Sequence, residues 1–169
     1  MSMDVQTIKK DRLRFTKDSF PATLVILAIV FDCLYFVSIY QSDVGTFYYN
    51  WLIGVSIIYN LVFLLAAFLG SESVKNRRPG YSGVLIALGI GQIVRIFILP
   101  MMAASAMTKR SDPVLKKVVE VAVMDKSQFA WIVVFLCLSA ACCIIAGAVS
   151  VIRSRKLAAY NASLEEKAA

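Results

Sequence analysis

The stretch Gly89-Ile90-Gly91-Gln92-Ile93-Val94-Arg95-Ile96-Phe97-Ile98-Leu99-Pro100 sets an amide, a guanidinium and a proline inside an otherwise apolar run. A charge at the centre of a helix in lipid costs ~2.5–3.5 kcal/mol on insertion scales, so it calls for a partner elsewhere in the chain. The remaining sequence supplies the setting. Apolar residues make up 59% of the 169 and the mean hydropathy is +0.72, against roughly 45–50% apolar residues in soluble domains. Four apolar runs, 20–40, 47–69, 82–104 and 129–152, each approach the ~20 residues that cross a ~30 Å hydrocarbon core. A soluble domain with four such core helices would need more polar chain than the short connections provide.

The expected fold is therefore all-α: an integral membrane, antiparallel four-helix transmembrane bundle over 20–152. A basic segment, 1–19, precedes it and a helix-forming tail, 153–169, follows. The net charge of +7 does not call for a nucleic-acid partner, because Lys and Arg flanking membrane spans set orientation. Lys9, Lys10, Arg12, Arg14 and Lys17 precede the first span. Lys75, Arg77 and Arg78 follow the second, and Arg153, Arg155 and Lys156 follow the fourth. The first connection has no basic residue, which puts both termini on the cytoplasmic side of the cell membrane. Lys109, Arg110, Lys116, Lys117 and Lys126 in the third connection run against that assignment; the charges nearest the spans still favour it. The first run is too long for the apolar region of a signal peptide and ends in Tyr35-Phe36-Val37-Ser38-Ile39-Tyr40, so it reads as a retained anchor.

Between the spans, Ser19 and Pro21 suit a helix start, and Gly70 suits a helix end. Tyr40, Phe47, Tyr48, Tyr49 and Trp51 cluster where aromatic rings collect at the outer headgroup level. Val5, Ile8, Leu13 and Phe15 in the N-terminal segment fit an interfacial helix or a flexible tail equally well. In the third connection, Asp112-Pro113 and then Val114, Leu115, Val118, Val119 and Ala122 suggest a short amphipathic helix. The β-branched content of 118–123 makes a short strand its rival.

Depth arithmetic brings four polar residues together. At 1.5 Å per residue, Asp32 and Arg95 each lie about 16 Å above the cytoplasmic edge, with Asn60 and Gln92 at about 12 Å. Gln92 and Arg95 share a face, with Gly91 beside them allowing close approach. An Asp32–Arg95 pair supplemented by Asn60 and Gln92 removes most of the insertion cost. Snorkelling of Arg95 to the outer surface is the competing account. Pro100 denies Ile96 its usual helical donor, which predicts a kink one turn above Arg95. Ser139, Cys143 and Gly147 form a small-residue stripe that suits packing within the bundle or against a second protomer.

Chemistry is sparse. The chain has no histidine, no nucleotide-binding loop and no CxxC pair. Cys33, Cys137, Cys142 and Cys143 all fall within spans, where thiols behave as small hydrophobes. No catalytic residue, metal or other cofactor is expected, and the chain does not read as an enzyme. Two functions lead, ahead of an intramembrane enzyme or a sensor. The first is a non-catalytic accessory or assembly subunit, whose partners are the lipid bilayer and a larger membrane complex or further copies of itself. The second is an ion- or proton-coupled transporter using Asp32 as the coupling carboxylate. In having four spans and an acid in the first, the chain is loosely similar to the small multidrug-resistance transporters. It is longer, has a clear orientation bias and an extended third connection, and pairs its acid with an arginine, so no residue role is carried over.

Overall fold

The computed structural model describes residues 17–40, 47–77, 80–111 and 118–168. Four helices carry the fold: α1 (Ser19–Ile39), α2 (Phe47–Lys75), α3 (Tyr81–Ser105) and α4 (Lys126–Ala168). Each is long and apolar enough to span a membrane. A two-stranded antiparallel hairpin, β1 (Met107–Ser111) with β2 (Val118–Ala122), joins α3 to α4. The N-terminal segment up to 16, the first connection at 41–46 and the Asp112-Pro113 cap with Val114 and Leu115 lie outside the described residues.

Buried positions recur at helical spacing along each span. In α1 they are Val25, Ala28, Asp32, Tyr35 and Ile39; in α3 they are Leu85, Gly89, Gln92, Arg95 and Leu99. Large apolar side chains on the other faces are exposed, among them Leu61, Leu65 and Phe68 of α2 at 62% each. An inside-facing stripe with an apolar outside is what lipid as solvent permits. The helices form a ring in which α1 and α3 each touch both α2 and α4.

The closest packing is between α3 and α4. A Cβ on Gly89 would meet Ile144 at 2.6 Å and the Ala140 carbonyl at 2.9 Å, and one on Gly147 would meet Ile86 at 2.6 Å and the Ser82 carbonyl at 2.9 Å. Cys143 and Ser139 are fully buried beside them. The small-residue stripe therefore packs inside the bundle, and a protomer contact is not its role here. The Ser139 hydroxyl donates to the Ala28 carbonyl (3.0 Å) and the Ser82 hydroxyl to that of Ser150 (2.9 Å), tying α4 to α1 and α3.

Several boundaries differ from the sequence expectation. Gly70 does not end α2, which continues to Lys75; its missing Cβ leaves room for Leu85, whose Cδ2 would lie 2.8 Å away. Asp18, rather than Ser19, occupies the cap position of α1. The tail is no separate element: α4 runs unbroken for 43 residues, about 65 Å at 1.5 Å per residue, so it extends well past the bilayer. Helix α3 matches the expected span of 82–104 to within a residue at each end and stays helical through buried Pro100 to Ser105.

The amphipathic helix expected in the third connection is a correction. Residues 118–122 form strand β2, with Met107 facing Ala122 and Ser111 facing Val118. Val118, Val119 and Val121 are β-branched, which disfavours a short isolated helix, and β1 provides a partner edge. The hairpin base returns to the bundle through the Val123 amide, which donates to the Ala106 carbonyl (3.1 Å). Met124 then packs among Tyr35, Ile39, Leu99, Ile132 and Leu136. Asp125 opens α4, accepting from the Ser127 hydroxyl at 2.6 Å; that bond, with the Lys126 backbone amide, holds its carboxyl below the usual carboxylate range.

Candidate functional site

The bundle interior is divided by depth. One apolar cluster, including Val25, Ala28, Phe63, Leu85 and Cys143, fills the half nearer the N-terminus of α1. A second, including Tyr35, Ile39, Leu99, Ile132 and Leu136, fills the half below the hairpin. Between them lies a polar layer. Asp32 falls between Ala28 and Tyr35 on α1, and Gln92 and Arg95 fall between Leu85 and Leu99 on α3.

Arg95 organises the layer. Its Nη1 donates to Asp32 Oδ1 (3.0 Å) and to Asn60 Oδ1 (2.7 Å). Its Nη2 donates to the Ser56 hydroxyl (3.0 Å) and more weakly to the Ser56 carbonyl (3.4 Å). Gln92 Nε2 donates to the same Asp32 oxygen at 3.0 Å. The guanidinium carbon also lies 4.3 Å from the Tyr35 ring centroid and 4.9 Å from that of Tyr59, distances at which ring faces stabilise a cation. Asp32 and Gln92 are wholly buried, and Asn60 and Arg95 are 5% exposed. Snorkelling is thereby excluded.

The four polar residues singled out from sequence are thus in one bonded group across α1, α2 and α3. Gly91 stands beside them for the reason expected, close approach: a Cβ there would meet the Tyr59 hydroxyl at 2.6 Å. Ser56 is the residue that sequence reasoning passed over. It lies one turn before Asn60 on the same face, and that spacing was the available signal. Tyr35 and Tyr59 read as ordinary span aromatics because cation–ring contact depends on the neighbouring helix. Three groups of the layer's bonded residues retain unused capacity: Asp32 Oδ2, Gln92 Oε1 and the Arg95 Nε–H are buried without a hydrogen-bond partner.

A second charged group closes the other end of the bundle. Asp18, 4% exposed, accepts from Arg153 of α4, and Arg77 Nε stands 4.0 Å from its other oxygen as an ion pair. The Asp18 backbone amide donates to the Lys75 carbonyl at 3.0 Å. Arg77 has a left-handed φ of 52°, and Gly80, at φ 110°, caps the start of α3 where a side chain would be strained. This group ties the start of α1 and the end of α2 to α4.

No cluster of three or more metal-ligating side chains occurs among the described residues, and Cys143 is sealed in the core. No protein-family model, curated protein or solved structure matches the chain.

Proposed function

We propose that this small multi-pass membrane protein is a non-catalytic accessory or assembly subunit whose polar layer is a clamp. The observation that carries the reading is the near-complete use of Arg95. Four hydrogen bonds leave it to side chains and backbone of two other helices, out of the five donors a guanidinium has. A group so fully engaged fixes the depth and rotation of α1, α2 and α3 relative to one another. A coupling carboxylate for transport, by contrast, must be released to exchange partners, and Asp32 is held by two donors among packed helices.

The bilayer is the first partner, and a larger membrane complex the second. Both termini are proposed to be cytoplasmic. Arg77 and Arg153 gather at one end of the bundle, around Asp18, and Lys75, Arg155 and Lys156 adjoin them in sequence; a basic end suits that side.

The transport reading keeps one observation of its own, the unpartnered Asp32 Oδ2, which is free to take a proton. Mutation separates the two. Under the clamp reading, Asp32→Asn and Arg95→Gln each lower the yield of folded protein in detergent, and the double neutral variant recovers much of it. Single variants that accumulate normally yet lose proton-dependent flux in vesicles would replace the clamp with the transporter. Copurification from native membranes completes the test: a stoichiometric larger subunit is expected, and its absence would remove the accessory assignment.

A further inference from the structure

Beside the polar layer, α2 and α3 part to leave a cavity of about 260 Å³. Val55, Val94 and Ile98 form its rim and are 47%, 53% and 48% exposed, so it opens sideways within the span, onto the lipid. Tyr59 and Arg95 also line it. Arg95 is itself nine-tenths buried, and its Nε–H has no acceptor. The orphan Nε–H belongs to a residue that lines the cavity, and a buried charged donor without an acceptor is a costly group whose cost a ligand acceptor would remove.

We propose that this cavity is a lateral binding site for an uncharged, carbonyl-bearing amphiphile that resides within the hydrocarbon, of the class of prenylated quinones. The carbonyl oxygen accepts from Arg95 Nε–H, the head lies against the Tyr59 ring, and the tail remains in lipid. Three arguments select this class. The first is charge. Asp32 and Arg95 already neutralise one another, so an anionic ligand would set two negative groups on one cation in a low-dielectric site, whereas a carbonyl adds an acceptor without a charge. The second is depth: Arg95 lies about 16 Å from the membrane edge, below the ester carbonyls of glycerolipids, which stay at the headgroup level of a ~30 Å core. The third is size. The volume falls just below the ~300–1,000 Å³ of small-molecule pockets, which suits one ring and leaves a chain outside. The inference rests on the clamp reading in one respect, that the Asp32–Arg95 pair stays closed when the cavity is filled.

The test uses the full chain in phosphatidylcholine nanodiscs with three diazirine probes: a prenylated benzoquinone, a prenylated arene lacking carbonyls, and a fatty acid at neutral pH. Cross-linked peptides are mapped by mass spectrometry. The quinone is expected to label the Val55, Val94 and Ile98 region about ten-fold more than the carbonyl-free arene, a ratio equivalent to ~1.4 kcal/mol. That is within the range of a hydrogen bond from a charged donor. Val94→Trp, placed to fill the rim, abolishes the excess while the thermal unfolding midpoint stays unchanged; if the midpoint falls, Ile98→Phe takes its place. Equal labelling by quinone and arene, which would mean occupancy by lipid chains only, overturns the proposal. So does preference for the fatty acid, or undiminished labelling in both filled variants. Failure of the clamp reads out separately, as an unchanged unfolding midpoint in the Asp32→Asn and Arg95→Gln variants.

Discussion

Helices α4 and α2 are held in the bundle by opposite means. Along α4, Ala140, Cys143 and Gly147 bring its backbone against α3, where Gly89 and the Ser82 carbonyl leave no room for a Cβ. Along α2, the contact with α3 is sparser, a cavity separates the two beside Val55 and Val94, and the attachment at mid-depth is Ser56 and Asn60 bonded to Arg95. Lipid chains are as apolar as leucine, so apolar contact alone gives little drive for helices to associate there. Shape complementarity serves one seam, and a shared cation serves the other. A seam built on shape is sensitive to volume, while one built on charge is sensitive to the loss of a partner.

The largest effect expected is therefore from removing the cation. Arg95→Gln leaves the Asp32 carboxylate buried and without its counter-ion, a defect that costs about 3–5 kcal/mol in protein interiors. Asp32→Asn in that background relieves the stranded charge. The measurement is unfolding in mixed micelles: the double variant should be more stable than the Arg95→Gln single. A double variant whose loss equals the sum of the two singles would mean that the pair is not coupled, and the contrast between the seams would collapse.

Next comes the seam built on volume. Gly89→Val places a side chain against Ile144 and the Ala140 carbonyl, and overpacking of this kind typically costs about 1–3 kcal/mol. The change Gly91→Ala, two residues away, meets only the Tyr59 hydroxyl, the far end of a side chain beside a cavity. It should cost less than about 1 kcal/mol, since Tyr59 has space into which to move. Similar losses from both glycine variants would show that α2 is packed as closely as α4.

The same contrast explains what the sequence discloses and what it withholds. Asp32, Asn60, Gln92 and Arg95 are legible because each is polar where lipid surrounds the chain, and helical rise converts residue number into depth. Apolar span length likewise discloses the four helices. The Asp18 group is different: Arg77 and Arg153 lie in basic segments near water, where a lysine or arginine needs no partner, so nothing marks them as bonded to Asp18. The hairpin was half legible. The valines of β2 carry strand preference, but Met107-Thr108-Lys109-Arg110-Ser111 becomes a strand by pairing with them, and pairing is not a local property. The cavity was not legible at all, since Val55, Val94 and Ile98 read as lipid-facing residues whether or not two helices part beside them.

The smallest effect distinguishes the seams with one residue type. The hydroxyls of Ser139 and Ser56 each bond across helices at 3.0 Å. Ser139 donates to the Ala28 carbonyl, which in α1 already has a helical acceptor role, so Ser139→Ala forfeits only the extra bond, about 0.6 kcal/mol by the average for such bonds in membranes. Ser56 accepts from a guanidinium that is 5% exposed. In Ser56→Ala the Nη2 group retains only the longer 3.4 Å bond to the Ser56 carbonyl, and bonds to charged groups contribute roughly 1.5–3 kcal/mol. Ser56→Ala should therefore lower the unfolding free energy at least twice as much as Ser139→Ala. An equal loss would mean that water reaches Arg95 when the hydroxyl is gone, and the lateral opening between α2 and α3 is the route by which it would arrive.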